Sequence, residues 1–190
     1  MKRVLVIVDM QNDFISGSLG TEEAKAIVPV MQDRIKEYQD GETIVVFTKD
    51  THFSNYLDTQ EGKMLPVPHC IKGTEGWSID KRISYVVDNG NFLKYASGTV
   101  INSRINKETF GSVFLSSLIE MWSEDKELEE VVLMGVCTDI CVVSNALLIK
   151  AYCPEVLVTV DASCCAGVTP ERHKAALETM KSCQINVINE

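Results

Sequence analysis

Two cysteines in the segment GVCTDICV (135–142) are the residues best suited to covalent chemistry, because a thiolate is a strong nucleophile. They follow the apolar run VVLM (131–134), and the second of them, Cys141, is the first residue of the helix-like stretch 141–152. Cys141 stands at the predicted start of that helix, where unpaired N–H groups and the helix dipole favour a thiolate. Cys137 lies in the preceding turn, so we predict a small structural role for its side chain. The N–H groups of such a turn are suited to hold a developing oxyanion.

Carboxylates follow the first two predicted strands. Asp9 comes directly after RVLVIV (3–8), and Asp50 comes shortly after TIVVFT (43–48). Because ligands of parallel sheets bind beyond the carboxyl ends of the strands, we expect both carboxylates at the edge that carries Cys141. An isolated aspartate at a strand end often only caps the next loop. Beside a candidate thiol nucleophile, a partly buried Asp9 is instead a candidate general base.

Histidines and carboxylates also recur in the segment that follows the second strand. Its candidate metal ligands are Asp50, His52, Glu61 and His69. An Asp-x-His pair places two side chains on the same side of an extended segment. Imidazole and carboxylate together suit zinc, iron or manganese. The spacing matches no zinc-finger pattern, so the residues alone leave metal binding open.

Lys107, in INKETFGS (105–112), is the remaining candidate for the site. Nothing in its immediate neighbourhood distinguishes it from a solvated surface lysine, apart from the Phe-Gly-Ser that follows it. From the local residues alone, a surface position is the simpler interpretation.

Short β-branched runs alternate with amphipathic stretches along the chain. The predicted strands are 3–8, 43–48, 131–134, 156–160 and 185–189, with 91–95 as a weaker candidate. The predicted helices are 22–39, 113–122, 141–152 and 170–182. Continuous apolar runs between helices indicate strands covered on both faces. We therefore predict a three-layer α/β/α fold with a mainly parallel sheet, and a long, loop-like functional segment over 50–90.

Composition limits the class of protein. A chain of 190 residues with 45% hydrophobic composition fits one globular domain over 1–190. The net charge of −9 argues against nucleic acid or an anionic membrane surface as the partner. No apolar stretch approaches the roughly 20 residues of a membrane span. Seven cysteines without a secretory signal predict a reducing, cytoplasmic location.

Five motifs in fixed order carry a resemblance to a known family. They are VDMQNDF (8–14), TKDTH (48–52), LPVPHC (65–70), KETFGS (107–112) and GVCTDICV (135–142). In this combination the chain resembles the isochorismatase-like cysteine hydrolases over essentially its whole length, and most of all their nicotinamidase branch. The resemblance implies the isochorismatase-like hydrolase fold, which is the same α/β/α architecture.

The resemblance also implies the roles of the site residues. Asp9, Lys107 and Cys141 match the catalytic triad of the family, which gives Lys107 a role that its neighbours do not suggest. The N–H groups of Cys137 and Cys141 match the oxyanion hole, and the peptide bond between Val136 and Cys137 is expected to be cis.

A divalent metal is implied for the nicotinamidase branch, with zinc as the first expectation and iron or manganese as alternatives. Its ligands would be Asp50, His52 and His69, with Glu61 favoured over Asp58 as a further ligand. The expected walls of the substrate pocket are Phe14, Leu65 and Phe110. Pro66, beside Leu65, stands where nicotinamidases often place an aromatic residue.

The implied activity is cysteine-dependent deamidation of nicotinamide to nicotinic acid and ammonia through a thioester. The implied partners are a small amide substrate and further copies of the chain in a dimer or tetramer. One alternative is hydrolysis of another small amide or carbamoyl compound. The vinyl-ether branch of the family generally lacks the nucleophilic cysteine, so Cys141 argues against it. A thiol-redox protein that uses Cys137 and Cys141 would leave Asp9 and Lys107 without a role.

Overall fold

The computed structural model of the protein describes residues 2–92, 103–124 and 127–190. Within them, six parallel strands form one sheet in the order β3-β2-β1-β4-β5-β6. The strands are β1 (Arg3–Val8), β2 (Thr43–Asp50), β3 (Ser103–Lys107), β4 (Glu130–Val136), β5 (Leu157–Ala166) and β6 (Asn186–Ile188). The helices are α1 (Asn12–Ile15), α2 (Glu22–Glu37), α3 (Gln60–Met64), α4 (Lys81–Asp88), α5 (Val113–Ser123), α6 (Val143–Tyr152) and α7 (Pro170–Ser182).

Helices cover both faces of the sheet, which confirms the predicted α/β/α layers. Along β1, Val4, Val6 and Val8 pack in the core cluster that contains the apolar sides of α5, α6 and α7. The alternate residues Leu5 and Ile7 pack in the cluster that contains α2 and α4. Because successive strand side chains point to opposite faces, a strand covered on both faces must be apolar throughout.

Strand β3 was not predicted from the sequence. The sequence instead offered 91–95 as a weaker candidate strand. Asn91 and Phe92 lie outside any strand, and positions 93–95 lie outside the described residues. β3 has the polar sequence SRINK and pairs with β2 at the edge of the sheet. An edge strand needs fewer apolar residues than a central one, so its pattern is weak.

Part of the segment 50–90 is helical, so the prediction of a loop-like segment is wrong over α4. Ile83, Val86 and Val87 are the buried residues of this helix, with the spacing of a single helical face. The carboxylate of Asp80 accepts the N–H of Arg82 and so caps the helix. The helical spacing of these apolar residues was present in the sequence, but the helix is only eight residues long, so the pattern is short.

The register of the sheet brings four strand ends together. Val8 is level with Thr48 of β2 and with Gly135 of β4, and Asp50 is level with Lys107 of β3. The segments that leave these strands therefore start from one edge, where open α/β sheets bind ligands.

Gly135 makes the closest approach at this edge, and its replacement is expected to be costly. Its φ is +135°, and a Cβ atom would lie 2.0 Å from the carbonyl oxygen of Val8. We expect Gly135→Ala to lower the free energy of unfolding by about 3 kcal/mol or more, measured by urea denaturation. Gly73 is the control, because its φ is +88° but no atom lies within 4 Å of its Cβ position. Gly73→Ala should cost only about 1–2 kcal/mol, and equal losses would contradict the steric explanation.

Candidate active site

Asp9, Lys107 and Cys141 come from three different elements and meet at the sheet edge. Lys107 Nζ lies 2.6 Å from Asp9 Oδ2 and 3.4 Å from Cys141 Sγ. The three residues are 0%, 5% and 5% exposed, respectively. The Thr48 hydroxyl donates a hydrogen bond of 2.7 Å to Asp9 Oδ1, which holds the carboxylate towards the lysine. A thiol, a carboxylate and an ammonium are thus in contact in a site removed from water.

Burial and mutual charge set the protonation of this group. Burial raises the pKa of Asp9, although Lys107 opposes the shift. Burial alone would lower the pKa of Lys107, but Asp9 and Cys141 outweigh it and raise the pKa. Burial and the charge of Asp9 raise the pKa of Cys141, again against Lys107. These shifts favour an ammonium at Lys107 and a protonated thiol at Cys141.

The predicted start of the helix at Cys141 is wrong. A π-helical turn, Thr138–Val142, precedes α6, which begins at Val143. Cys141 lies within that turn, beside the carboxylate of Asp9. The helix-dipole effect is small compared with the burial of an ion in a site that already holds a carboxylate.

Cys137 begins the same turn through its backbone. Its carbonyl accepts the N–H groups of Ile140 and Val142, at 3.0 and 3.1 Å. The peptide bond between Val136 and Cys137 is cis, which confirms the expectation. Burial and Asp139 raise the pKa of the Cys137 thiol to about 12. The pKa of the Cys141 thiol is raised as well, so the difference between the two cysteines is the contact of Cys141 Sγ with Lys107 at 3.4 Å.

Asp50, His52 and His69 form a second cluster next to the triad. Their ligand atoms all lie within 4.8 Å of one another. Asp50 Oδ2 lies 2.9 Å from Nε2 of His52 and 3.3 Å from Nε2 of His69, and Asp50 Oδ1 lies 3.7 Å from Lys107 Nζ. Burial alone would raise the pKa of Asp50, but the two imidazoles and Lys107 outweigh it and lower the pKa. Asp50 is therefore a carboxylate that faces both clusters.

The cluster has the geometry of a metal site. Nδ1 of His69 lies 2.8 Å from the Val67 carbonyl, so Nδ1 carries the proton and leaves Nε2 free to act as a ligand. His52 Nε2 is buried, and among the described residues none meets it in hydrogen-bonding geometry, although Asp50 Oδ2 lies 2.9 Å away. Two imidazole nitrogens and one carboxylate oxygen that converge in this way suit zinc, iron or manganese.

Glu61 is the further carboxylate that the structure brings to this cluster. Its Oε1 lies 3.5 Å from His52 Nε2 and 3.8 Å from His69 Nε2. Asp58, the alternative, is exposed at the end of the 3-10 turn that precedes α3. The Tyr56 ring packs on the imidazoles of His52 and His69, with centroid distances of 4.7 and 5.1 Å.

The thiol and two members of the metal cluster, Asp50 and His69, open into one cavity of about 290 Å³. Its polar lining includes Cys141, Asp50 and His69. The apolar lining includes the three residues predicted for the pocket walls, which are Phe14, Leu65 and Phe110. A small molecule in this cavity would therefore touch the thiol, the metal cluster and aromatic walls at once.

The sequence matches the isochorismatase domain over residues 3–190. The chain belongs to the isochorismatase family. A nicotinamidase/pyrazinamidase of Mycobacterium tuberculosis is 28% identical over 192 residues, which cover 98% of each chain. The structure of the nicotinamidase/pyrazinamidase of Bacillus subtilis is 28% identical, with a TM-score of 0.78 over 100% of both chains. The pyrazinamidase of Pyrococcus horikoshii, whose structure is a complex with zinc, is 25% identical, with a TM-score of 0.74 over 100% of both chains.

These isochorismatase-family relatives indicate that the chain is a hydrolase acting on amide bonds. Among the helices in the described part of the chain, none is long and apolar enough to cross a membrane.

Three residues of the site were missed by sequence reasoning. The first is Thr48, the partner of Asp9. The second is Gln11, whose side chain donates to the carbonyl of Asp50 and accepts its N–H, at 2.9 and 2.7 Å, and so fixes the end of β2. Both lie inside motifs in which only other residues were assigned to the site from the sequence. The third, Arg172, lines the cavity from the first turn of α7, and no local signal marks it.

Proposed function

We propose that this protein is a cysteine-dependent nicotinamidase, which converts nicotinamide to nicotinic acid and ammonia through a thioester at Cys141. The observation that carries this proposal is the shared cavity. A buried thiol, in contact with Lys107 and close to Asp9, faces the same small space as the Asp50 and His69 cluster. The nicotinamidase relatives support the choice of substrate.

Acylation begins with transfer of the Cys141 proton to Asp9. The raised pKa of the buried Asp9 makes this carboxylate a stronger base than an exposed one. Lys107, in contact with both partners, stabilises the thiolate as it forms. The thiolate attacks the carboxamide carbon, and the N–H groups of Cys137 and Cys141 hold the oxyanion.

The same residues complete the reaction. Protonated Asp9 donates its proton to the departing ammonia, which leaves Cys141 as a thioester. Asp9, again a carboxylate, then accepts a proton from the water that attacks the thioester. Collapse of the second tetrahedral intermediate releases the acid and expels the thiolate of Cys141. Asp9 then returns the proton that it took from water to this thiolate, which restores the thiol and the carboxylate. One carboxylate therefore serves as base, acid, base and acid in turn.

Asp50, His52, His69 and Glu61 would hold a divalent metal, and we propose zinc. The free Nε2 atoms and the low pKa of Asp50 fit that ion, and the Pyrococcus horikoshii relative was solved with zinc. Iron and manganese accept the same ligand types. When bound, the ion supplies a Lewis-acid position for the pyridine nitrogen of the substrate.

Loss of the metal ligands gives a direct test of this site. We expect Asp50→Ala combined with His52→Ala to lose the bound metal, measured by elemental analysis of the purified protein. Glu61→Gln should reduce metal affinity by about 10- to 100-fold. Asp58→Asn is the control and should retain full occupancy. Full occupancy in the double variant would rule out the site.

The aromatic walls would hold the pyridine ring. Phe14 and Phe110 line the cavity together with Leu65. Phe14 also packs edge-on against His69, at 5.5 Å between centroids, so this wall adjoins the metal cluster. A flat ring with its nitrogen directed to the cluster would then present its carboxamide towards Cys141.

Ammonia release from nicotinamide, with and without a chelator, tests the proposed activity. We expect turnover that falls on chelation and returns with added zinc. The second candidate is another small amide or a carbamoyl compound, and the guanidinium of Arg172 at the cavity favours one with an anionic group. A panel of such amides, assayed alongside nicotinamide, separates the two. A higher kcat/KM for a carboxylate-bearing amide than for nicotinamide would favour the second candidate.

A further inference from the structure

Asn145 is a fully buried polar residue that the proposed reaction leaves unused. It lies on α6, one helical turn after Cys141, and is 0% exposed. Its Nδ2 donates to the carbonyl of Cys141 at 2.8 Å and to the carbonyl of Phe110 at 3.3 Å. Its Oδ1 accepts the N–H of Ser112 at 3.0 Å.

This arrangement uses both protons of the Asn145 amide and its carbonyl oxygen. A backbone N–H can only donate and a backbone carbonyl can only accept, so the three partners fix which end of the amide is which. A carboxylate has no proton to donate, and an aliphatic side chain would leave the carbonyl of Cys141 and the N–H of Ser112, both buried, without this partner. Unsatisfied buried groups are costly, so only a small polar side chain suits the position.

The three bonds join two segments that carry different parts of the site. Cys141 belongs to the turn that follows β4, whereas Phe110 and Ser112 belong to the loop between β3 and α5. That loop starts at Lys107, whose Nζ contacts the Cys141 sulfur at 3.4 Å. The loop packs closely against α6, because a Cβ on Gly111 would lie 2.5 Å from a Leu148 methyl group.

We propose that Asn145 is a positioning residue, which sets the separation between the Cys141 thiol and Lys107 and places Phe110 in the cavity wall. It touches neither substrate nor reacting atoms and acts through the backbone of the two segments. This role rests on the proposed function of Cys141 as the nucleophile. A displacement of about 1 Å between reacting groups is enough to reduce a rate by about 10²-fold.

Asn145→Thr and Asn145→Val form a matched pair for the test, because the two side chains share a shape and differ in one hydroxyl. In a helix, a threonine hydroxyl can donate to the carbonyl four residues earlier, which here is that of Cys141, and its oxygen can accept the N–H of Ser112, so one link between the two segments is kept. We expect Asn145→Thr to keep kcat/KM for nicotinamide within about fivefold of wild type, and Asn145→Val to lose at least about tenfold more. The rate of Cys141 alkylation by iodoacetamide at pH 7, followed by mass spectrometry, should fall in the same order.

Ser116→Ala is the stability control. Ser116 is also 0% exposed and donates to the Ser112 carbonyl at 3.2 Å, within the first turn of α5. We expect this variant to lose thermal stability but to keep wild-type turnover and alkylation. Should Asn145→Val fail to fold, Asn145→Ser and Asn145→Ala provide the same comparison with smaller side chains.

Equal turnover and equal alkylation in the hydroxyl and aliphatic variants would overturn the positioning role, whatever their stability. Alkylation needs no assigned substrate. Wild-type alkylation without turnover of nicotinamide would therefore count against the proposed function alone, and a difference between the paired variants in alkylation would still support the role of Asn145.

Discussion

Replacing Cys141 with alanine is expected to reduce amide hydrolysis by more than about 10³-fold, because no other group can form the thioester. Cys137→Ala is expected to keep most of the activity. In the proposed mechanism Cys137 contributes only its backbone N–H, which alanine retains, and the Cys141 sulfur is the one in contact with Lys107. Ammonia release under saturating nicotinamide measures both variants.

The two cysteines are matched controls for each other, since both line the same cavity and lie in the same turn. Circular dichroism should show that both variants fold. If Cys137→Ala is inactive while Cys141→Ala turns over, the assignment of the nucleophile is wrong.

Replacing Asp9 with asparagine is expected to lower kcat by about 10³-fold, because the general base and acid are lost while the shape is kept. Alkylation of Cys141 by iodoacetamide should change in the opposite direction. The charge of Asp9 raises the pKa of the Cys141 thiol, and Lys107 lowers it. Without the carboxylate, the thiolate fraction at pH 7 therefore increases and alkylation becomes faster.

Asp161→Asn is the control for this change of a buried carboxylate to an amide. Asp161 is 0% exposed and pairs with Arg34 at 3.0 Å, outside the cavity. We expect this variant to lose stability and to keep wild-type turnover and alkylation. Wild-type turnover in Asp9→Asn would contradict the base role of Asp9, and slower alkylation of Cys141 would contradict the effect assigned to the charge of Asp9.

The sequence was most informative where a strand was long, apolar and central. β1 and β4 were predicted close to their observed bounds, and their carboxyl ends led directly to Asp9 and to the cysteine turn. Lys107 behaved differently, because it ends a short polar edge strand whose pattern is weak. Only the resemblance to the family identified this residue as part of the site. Lys107 is buried in contact with Asp9, which lies far away in the sequence.

Protonation was the least predictable property of the site. A helix start argued for a thiolate at Cys141, but the pKa depends on burial and on Asp9, which is supplied by a different strand. The choice between Glu61 and Asp58 likewise depends on where each carboxylate points, which the sequence does not show. The short helix α3 turns Glu61 towards the two imidazoles, whereas Asp58 is exposed to solvent. The homo-oligomer, the single domain and the cytoplasmic location stay predictions.

Direct detection of the acyl-enzyme tests the central claim. Wild-type protein would be mixed with nicotinamide, quenched with acid within the first turnovers, digested and analysed by mass spectrometry. We expect a nicotinoyl group on Cys141, distinguished from Cys137 by fragmentation of the shared peptide, and its absence in Asp9→Asn. Ammonia release by a protein whose Cys141 never carries the acyl group, or a nicotinoyl group on Cys137, would contradict the claim.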